Sequence, residues 1–309
     1  AAIAGISPPP VPEPAVVAVF AGDHGVWAQG VSPWPQEVTA AMVANFAAGG
    51  AAVNVLARAM GAEVIVVDVG VATPLPSDLG PERVLHRRVR DGTADLSAGP
   101  AMAVDDVRAA LDTGAAVAAE CVAGGAACLV TGDMGIANTT PSSAVIAALT
   151  GRDAADVTGR GTGIDDATWR VKVGAVRAGV ARVGTASDAV GVLAEVGGLE
   201  IAALAGFVVG GAAARVPVIV DGVIACAGLL ACVTLVPDAL GYVVAGHRSV
   251  EPGASVVLDR LGLRPVLDLD LRLGEGTGAV LAVPIVQAAA RVLSEMATFD
   301  DLGLAADPN

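Results

Sequence analysis

The sequence predicts an α/β protein: a doubly wound, mainly parallel six-stranded sheet with helices on both faces. Three observations carry that expectation. Short β-branched runs alternate with longer Ala-rich segments of helical period, the pattern of βαβ units. All but one of the six candidate strands are continuous apolar runs, as expected of strands covered on both faces. Hydrophobic residues make up 54% of the 309-residue chain but aromatics only 3%, so the apolar mass is Ala, Val and Leu, which suits helices packed closely on a sheet.

The elements follow in order. Residues 7–14 are Pro-rich and read as an extended lead-in. Strands are expected at 15–20, 64–68, 127–131, 216–220, 241–245 and 266–269. Helical segments between and after them include 35–46, 105–121, 165–180, 199–213, 252–261 and 277–296. The Pro- and charge-rich stretch 72–100 reads as a surface excursion, with 83–90 as an edge strand. The catalytic α/β domain is expected over 15–280, with 1–14 and 281–309 contributing to a small helical subdomain.

Charge excludes one class of function. With 18 Lys+Arg against 32 Asp+Glu the net charge is −14, and a nucleic-acid binder needs a basic stripe. Two apolar stretches test a membrane reading. Residues 38–57 lack charge but contain Thr39, Asn45, Asn54 and Gly49-Gly50, and 222–237 is too short to span. Without an export-type leader in view, a cytoplasmic protein is expected. Cys121, Cys128, Cys226 and Cys232 form no CxxC and sit among Ala, Val and Leu, so buried reduced thiols are expected rather than a metal site.

In open α/β sheets, ligands bind beyond the carboxyl ends of the strands. Those ends are unusual here: Gly22-Asp23-His24-Gly25, then Gly132 to Thr140, Asp221-Gly222, Gly246-His247-Arg248-Ser249 and Gly274-Glu275-Gly276. Glycine beside a carboxylate, imidazole or hydroxyl at five strand ends points to an active cleft. Turn chemistry alone is the competing explanation. Gly159-Arg160-Gly161-Thr162-Gly163 precedes a helix carrying Lys172, the only lysine of the chain, and such a loop can bring backbone N–H groups to a phosphate. A lysine retained on a solvated face would look the same. Gly-Lys-Ser/Thr and GxGxxG are both missing, which argues against ATP hydrolysis and NAD.

Glu275 is the sharpest candidate. It is the one acid between Leu273 and Gln287, so desolvation should raise its proton affinity and suit it to proton removal. A helix-capping carboxylate is the alternative, and Asp133 shares that ambiguity. His24 and His247 are either acid/base groups or imidazoles that brace backbone.

Taken together, FAGDHGV, GVSPWPQEVTAAMVANFAAGGAAVNVLAR, GDMGIANTT, GRGTGIDD, GGLEIAALAG, PVIVDGVIACA, GHRSVEPG and LDLRLGEGTGAVLAVPIVQAA resemble the nicotinate-nucleotide:dimethylbenzimidazole phosphoribosyltransferase family of cobalamin nucleotide-loop assembly. The motifs occur in the family's order from Val17 to Met296. The resemblance implies a cofactor-free and metal-free transfer of phosphoribose from nicotinate mononucleotide to 5,6-dimethylbenzimidazole, giving α-ribazole 5′-phosphate and nicotinate. It implies Glu275, from the RLGEG motif, as general base, and Asp133 as a second catalytic residue, one methylene shorter than the Glu many members carry. Gln36 and Met134 would line the benzimidazole pocket. Gly135, Gly161, Thr162, Gly163 and Lys172 would hold the 5′-phosphate, and Asn138, Thr139, Asp221 and Ser249 would contact ribose or nicotinate. Partners are then small molecules, with neither nucleic acid nor membrane, and a homodimer is expected. The rivals are a ribokinase-like kinase, which would need magnesium-ATP, and a non-catalytic nucleotide-binding module.

Overall fold

The structure is a computed structural model, and it describes residues 1–76, 79–80, 84–184 and 188–304. Its sheet comprises β1 (Ala15–Gly22), β2 (Ala62–Gly70), β3 (Leu85–His86), β4 (Cys128–Met134), β5 (Val218–Val220) and β6 (Val243–Ala245). Every pairing is parallel and the order is β3-β2-β1-β4-β5-β6, a Rossmann-like arrangement. The helices are α1 (Val38–Ala47), α2 (Ala52–Met60), α3 (Val104–Ala123), α4 (Thr139–Thr150), α5 (Ala154–Val157), α6 (Asp166–Val183), α7 (Ala189–Val196), α8 (Leu199–Ala213), α9 (Val223–Leu235), α10 (Pro252–Leu261) and α11 (Thr277–Glu295).

Strand alternation distributes these helices between two layers. Val16, Ala18 and Phe20 of β1 face the larger core, shared with α3, α4 and α6 to α10. Ala15, Val17, Val19 and Ala21 face the smaller one, built with α1, α2 and α11. Phe20 meets Phe207 edge to face at 5.3 Å, and truncating such a buried ring costs about 3–5 kcal/mol. The apolar stretch 38–57 is two helices, broken around Gly49 and Gly50, although 38–60 taken whole is long and apolar enough to cross a membrane, as is α11. Residues 223–232 of α9 are buried all round.

One expected strand is not one. Residues 266–269 contribute a single bridge, Leu267 to His247, with Val266 N and Leu267 N donating to Ala245 O and Gly246 O. Arg248 N and Val250 N donate back to Leu267 O and Leu271 O, but with Asp270 at φ +54 between these acceptors the bonds do not extend into a regular ladder. The sixth strand is instead β3, within the expected edge segment 83–90, whose residue 83 lies outside the described residues. Pro217 has no N–H to donate, and β5 begins only at Val218. Cys128, Cys226 and Cys232 are buried thiols, but Cys121 is only half-buried on α3.

The two ends of the chain meet. Residues 1–14 hold neither helix nor strand, yet Pro12 O accepts from Gln287 Nε2 and Glu13 pairs with Arg291. α11 packs in the smaller core as far as Val286 and is exposed from Arg291 onward.

Connections to the two sides of β1 and β4 run off in opposite directions, which opens a crevice beyond their carboxyl ends.

Candidate active site

That crevice holds a cavity of about 370 Å³. The β4 end supplies Asp133, Met134, Gly135, Asn138 and Thr139, and the loop before α6 supplies Gly161 and Thr162. Lys172 of α6, Ser249 after β6 and Glu275 before α11 complete the expected set on its wall. Val31, Trp34, Val38 and Met42 make one end apolar, next to Met134. Gln36, Gly163 and Asp221 are not on the wall: Gln36 Nε2 donates to His24 O at 3.4 Å, Gly163 is exposed, and Asp221 lies behind the cavity.

Glu275 sits in a strained turn. Gly274, Glu275 and Gly276 all have positive φ, with Glu275 at +64°, an unusual value for a residue with a side chain. The turn presses on β4 at Gly132, where a Cβ would lie only 2.6 Å from Glu275 O. Glu275 is 8% exposed, and its Oε2 accepts the Val53 N–H at 3.2 Å, in the first turn of α2. The side chain therefore binds an amide at the start of α2 and also lines the cavity. Burial raises its pKa above the ordinary carboxylate value, Val53 opposes that, and Asp221 adds to it.

Asp221 holds this turn from behind. Its Oδ1 accepts from Ala279 N at 2.8 Å and its Oδ2 from Gly276 N at 3.2 Å, which ties the carboxylate to the positive end of α11. His247 Nε2 lies 3.3 Å from the same Oδ1. Burial alone would lower the His247 pKa, but its bond to Asp221 raises it. Asp133 accepts from Asn138 Nδ2 at 2.9 Å through Oδ2, while its buried Oδ1 has no hydrogen-bond partner. Burial first, then the nearby Asp221, Glu200 and Glu275, hold the Asp133 carboxyl well above its usual range, so a proton stays on it readily. His24 does not reach the wall: it is buried under Gly135, with Nε2 2.9 Å from Glu200 Oε1. Of the two histidines, only His247 lines the cavity.

Lys172 and Arg272 bring positive charge to another part of the wall. Lys172 is 1% exposed, not on a solvated face, and its Nζ donates to Thr139 Oγ1 at 2.9 Å and Gly159 O at 3.0 Å. Burial lowers its pKa to about 8, against the pull of Glu251. Arg272 Nη1 donates to Gly161 O at 3.1 Å. Glu251, which sequence reasoning assigned no role, accepts from Gly161 N at 2.7 Å. Its only signal in the sequence was its place inside GHRSVEPG. Among the described residues, no group of three or more His, Cys, Asp or Glu is arranged to hold a metal ion.

Comparison with known proteins bears on the family and the fold. A family model described as a phosphoribosyltransferase matches residues 1–304. A nicotinate-nucleotide–dimethylbenzimidazole phosphoribosyltransferase of Salinispora tropica is 58% identical over 99% of this chain and 87% of the relative. Its counterpart in Chloroflexus aggregans is 55% identical over 98% of this chain and 85% of its own length. The crystal structure of CobT from Thermus thermophilus superposes with a TM-score of 0.92 at 47% identity, covering 97% of this chain and 88% of that one. The chain therefore belongs to the nicotinate-nucleotide:dimethylbenzimidazole phosphoribosyltransferase family.

Proposed function

We propose that this protein moves 5-phosphoribose from nicotinate mononucleotide to 5,6-dimethylbenzimidazole, with Glu275 as the general base. The observation that carries the reading is the pairing, across one cavity, of a desolvated carboxyl at Glu275 with a buried ammonium at Lys172. The pyridinium nitrogen of the donor is already positive, so nicotinate leaves without a general acid. The acceptor attacks through its bare ring nitrogen, and its N–H proton passes to Glu275. Holding two flat rings on opposite faces of one ribose makes the attack effectively unimolecular and inverts the β donor to an α product. The apolar end at Met134 and Trp34 suits a methylated ring. Asp133, whose proton affinity burial raises and whose Oδ1 is free, stands beside the substrate oxygens, with Asn138, Thr139 and Ser249 around the ribose. Asp221 acts by positioning Glu275. The working protein is proposed to be a cytoplasmic homodimer.

The direct test mixes purified protein with nicotinate mononucleotide and dimethylbenzimidazole and separates the products by chromatography. Nicotinate and α-ribazole 5′-phosphate should appear in equal amounts, and a lack of both would end the proposal. Lys172→Ala should raise the KM for nicotinate mononucleotide by about 10–100-fold, the worth of one charge-assisted hydrogen bond. For the native enzyme the same KM should climb as pH passes about 8, where the free enzyme's Lys172 loses its charge. A KM unchanged by the substitution removes Lys172 from the donor site.

A further inference from the structure

A carboxylate already occupies part of the phosphate end. Glu251, between β6 and α10, is 6% exposed, and its Oε1 takes the Gly161 N–H at 2.7 Å. A Cβ on Gly159 would collide with this carboxylate, so the bare backbone there is what lets it lodge against the loop. Lys172 donates to Gly159 O on the same loop and lies close enough to feel the charge of Glu251. A loop amide and a buried ammonium are the donors a phosphate uses, and here an acid of the chain itself holds the amide. Glu251 also stands between the cavity and a neighbouring depression of about 610 Å³, lining both.

We infer that Glu251 is a specificity-determining residue, an internal anion that guards the phosphate seat against phosphates that carry no cationic ring. The inference rests on the phosphoribosyl-transfer reading of the cavity. An arriving phosphate either displaces the Glu251 carboxylate from Gly161 or binds beside a like charge, and both oppose binding. A donor with a pyridinium ring recovers that loss through Asp221, whose buried carboxylate lies behind the cavity wall and attracts the positive ring nitrogen. Inorganic phosphate and ribose 5-phosphate have nothing to offer there. After transfer the base on the ribose is neutral, so the same balance favours release of the product.

Calorimetric titration of ribose 5-phosphate into the native protein, Glu251→Gln and the double variant Glu251→Gln/Lys172→Ala tests this. Removing one close like charge should tighten ribose 5-phosphate binding by at least about tenfold. Nicotinate mononucleotide should gain less, and the double variant should lose the gain. Folded Glu251→Gln that binds ribose 5-phosphate no better than the native protein overturns the inference. If that variant does not fold, native crystals soaked with ribose 5-phosphate decide: the phosphate should sit at Gly161 with Glu251 withdrawn. A phosphate bound elsewhere, with the Glu251 to Gly161 bond intact, overturns it. Turnover of nicotinate mononucleotide with dimethylbenzimidazole is measured on the same preparation. Turnover with no tightening rejects the role of Glu251 alone; tightening without turnover supports the guarded anion seat and rejects the transferase reading.

Discussion

Glu275→Gln is expected to lower kcat by about 10²-fold or more while leaving the KM for the donor nearly unchanged, because only the proton transfer is lost. Stability should move the other way. A carboxyl whose folded pKa is raised weakens the fold once it ionises, so removing its charge is stabilising above the ordinary carboxylate range. The amide oxygen of Gln can still accept the Val53 N–H. At neutral pH the variant should therefore melt at the same temperature as the native protein or higher. The opposite pair of results, a lower melting temperature with unchanged kcat, would make Glu275 a helix cap and nothing more. In the native enzyme, kcat should fall as pH drops through the raised pKa of Glu275, above its ordinary value of 4.5, since the base must be ionised to accept a proton.

The second large effect is expected at Asp221. Asp221→Ala strips the acceptor from Gly276 N and Ala279 N and leaves His247 buried without its partner. Breaking a buried pair in this way costs about 3–5 kcal/mol, read by denaturant unfolding. The part owed to His247 has a pH signature. Its folded pKa is raised, so that stabilisation is complete below the unfolded value of 6.5 and disappears as pH rises through the folded value. The gap between native and variant should accordingly be widest in mild acid and narrow toward alkaline pH. Asp221→Asn, which keeps one acceptor, should fold better yet still lose kcat through the displaced Glu275 turn; full activity would show that the turn holds itself.

Particular residues explain what could be read from the sequence. The inner strands β1 and β4, and β2 from Val66 on, were visible because burial on both faces favours continuous apolar runs. The segment at 266–269 has strand-like composition, but strand pairing depends on a neighbour, and β6 is only three residues long. α9 gave no helical period because no face of its first ten residues meets water. Of the site, Glu275 stood out as the one acid of an apolar stretch and Lys172 as the single lysine of the chain behind a glycine loop. The raised proton affinity of Asp133 did not, because it arises from burial first and then from Asp221, Glu200 and Glu275, which only the fold brings near. Glu251 was hidden for another reason: an acid before Pro252 reads as an ordinary helix start.

One of the three tryptophans lines the crevice and a second lines the depression that adjoins it at Glu251. Trp34 is half exposed at the apolar end, while Trp169 lines the depression beside Glu251 and fastens its indole N–H to Thr158 O at 2.8 Å. Each indole thus offers an intrinsic fluorophore, one for the arriving azole and one for the sugar phosphate. With Trp27 replaced by Phe, stopped-flow emission could follow the order in which the two ligands enter without any attached dye.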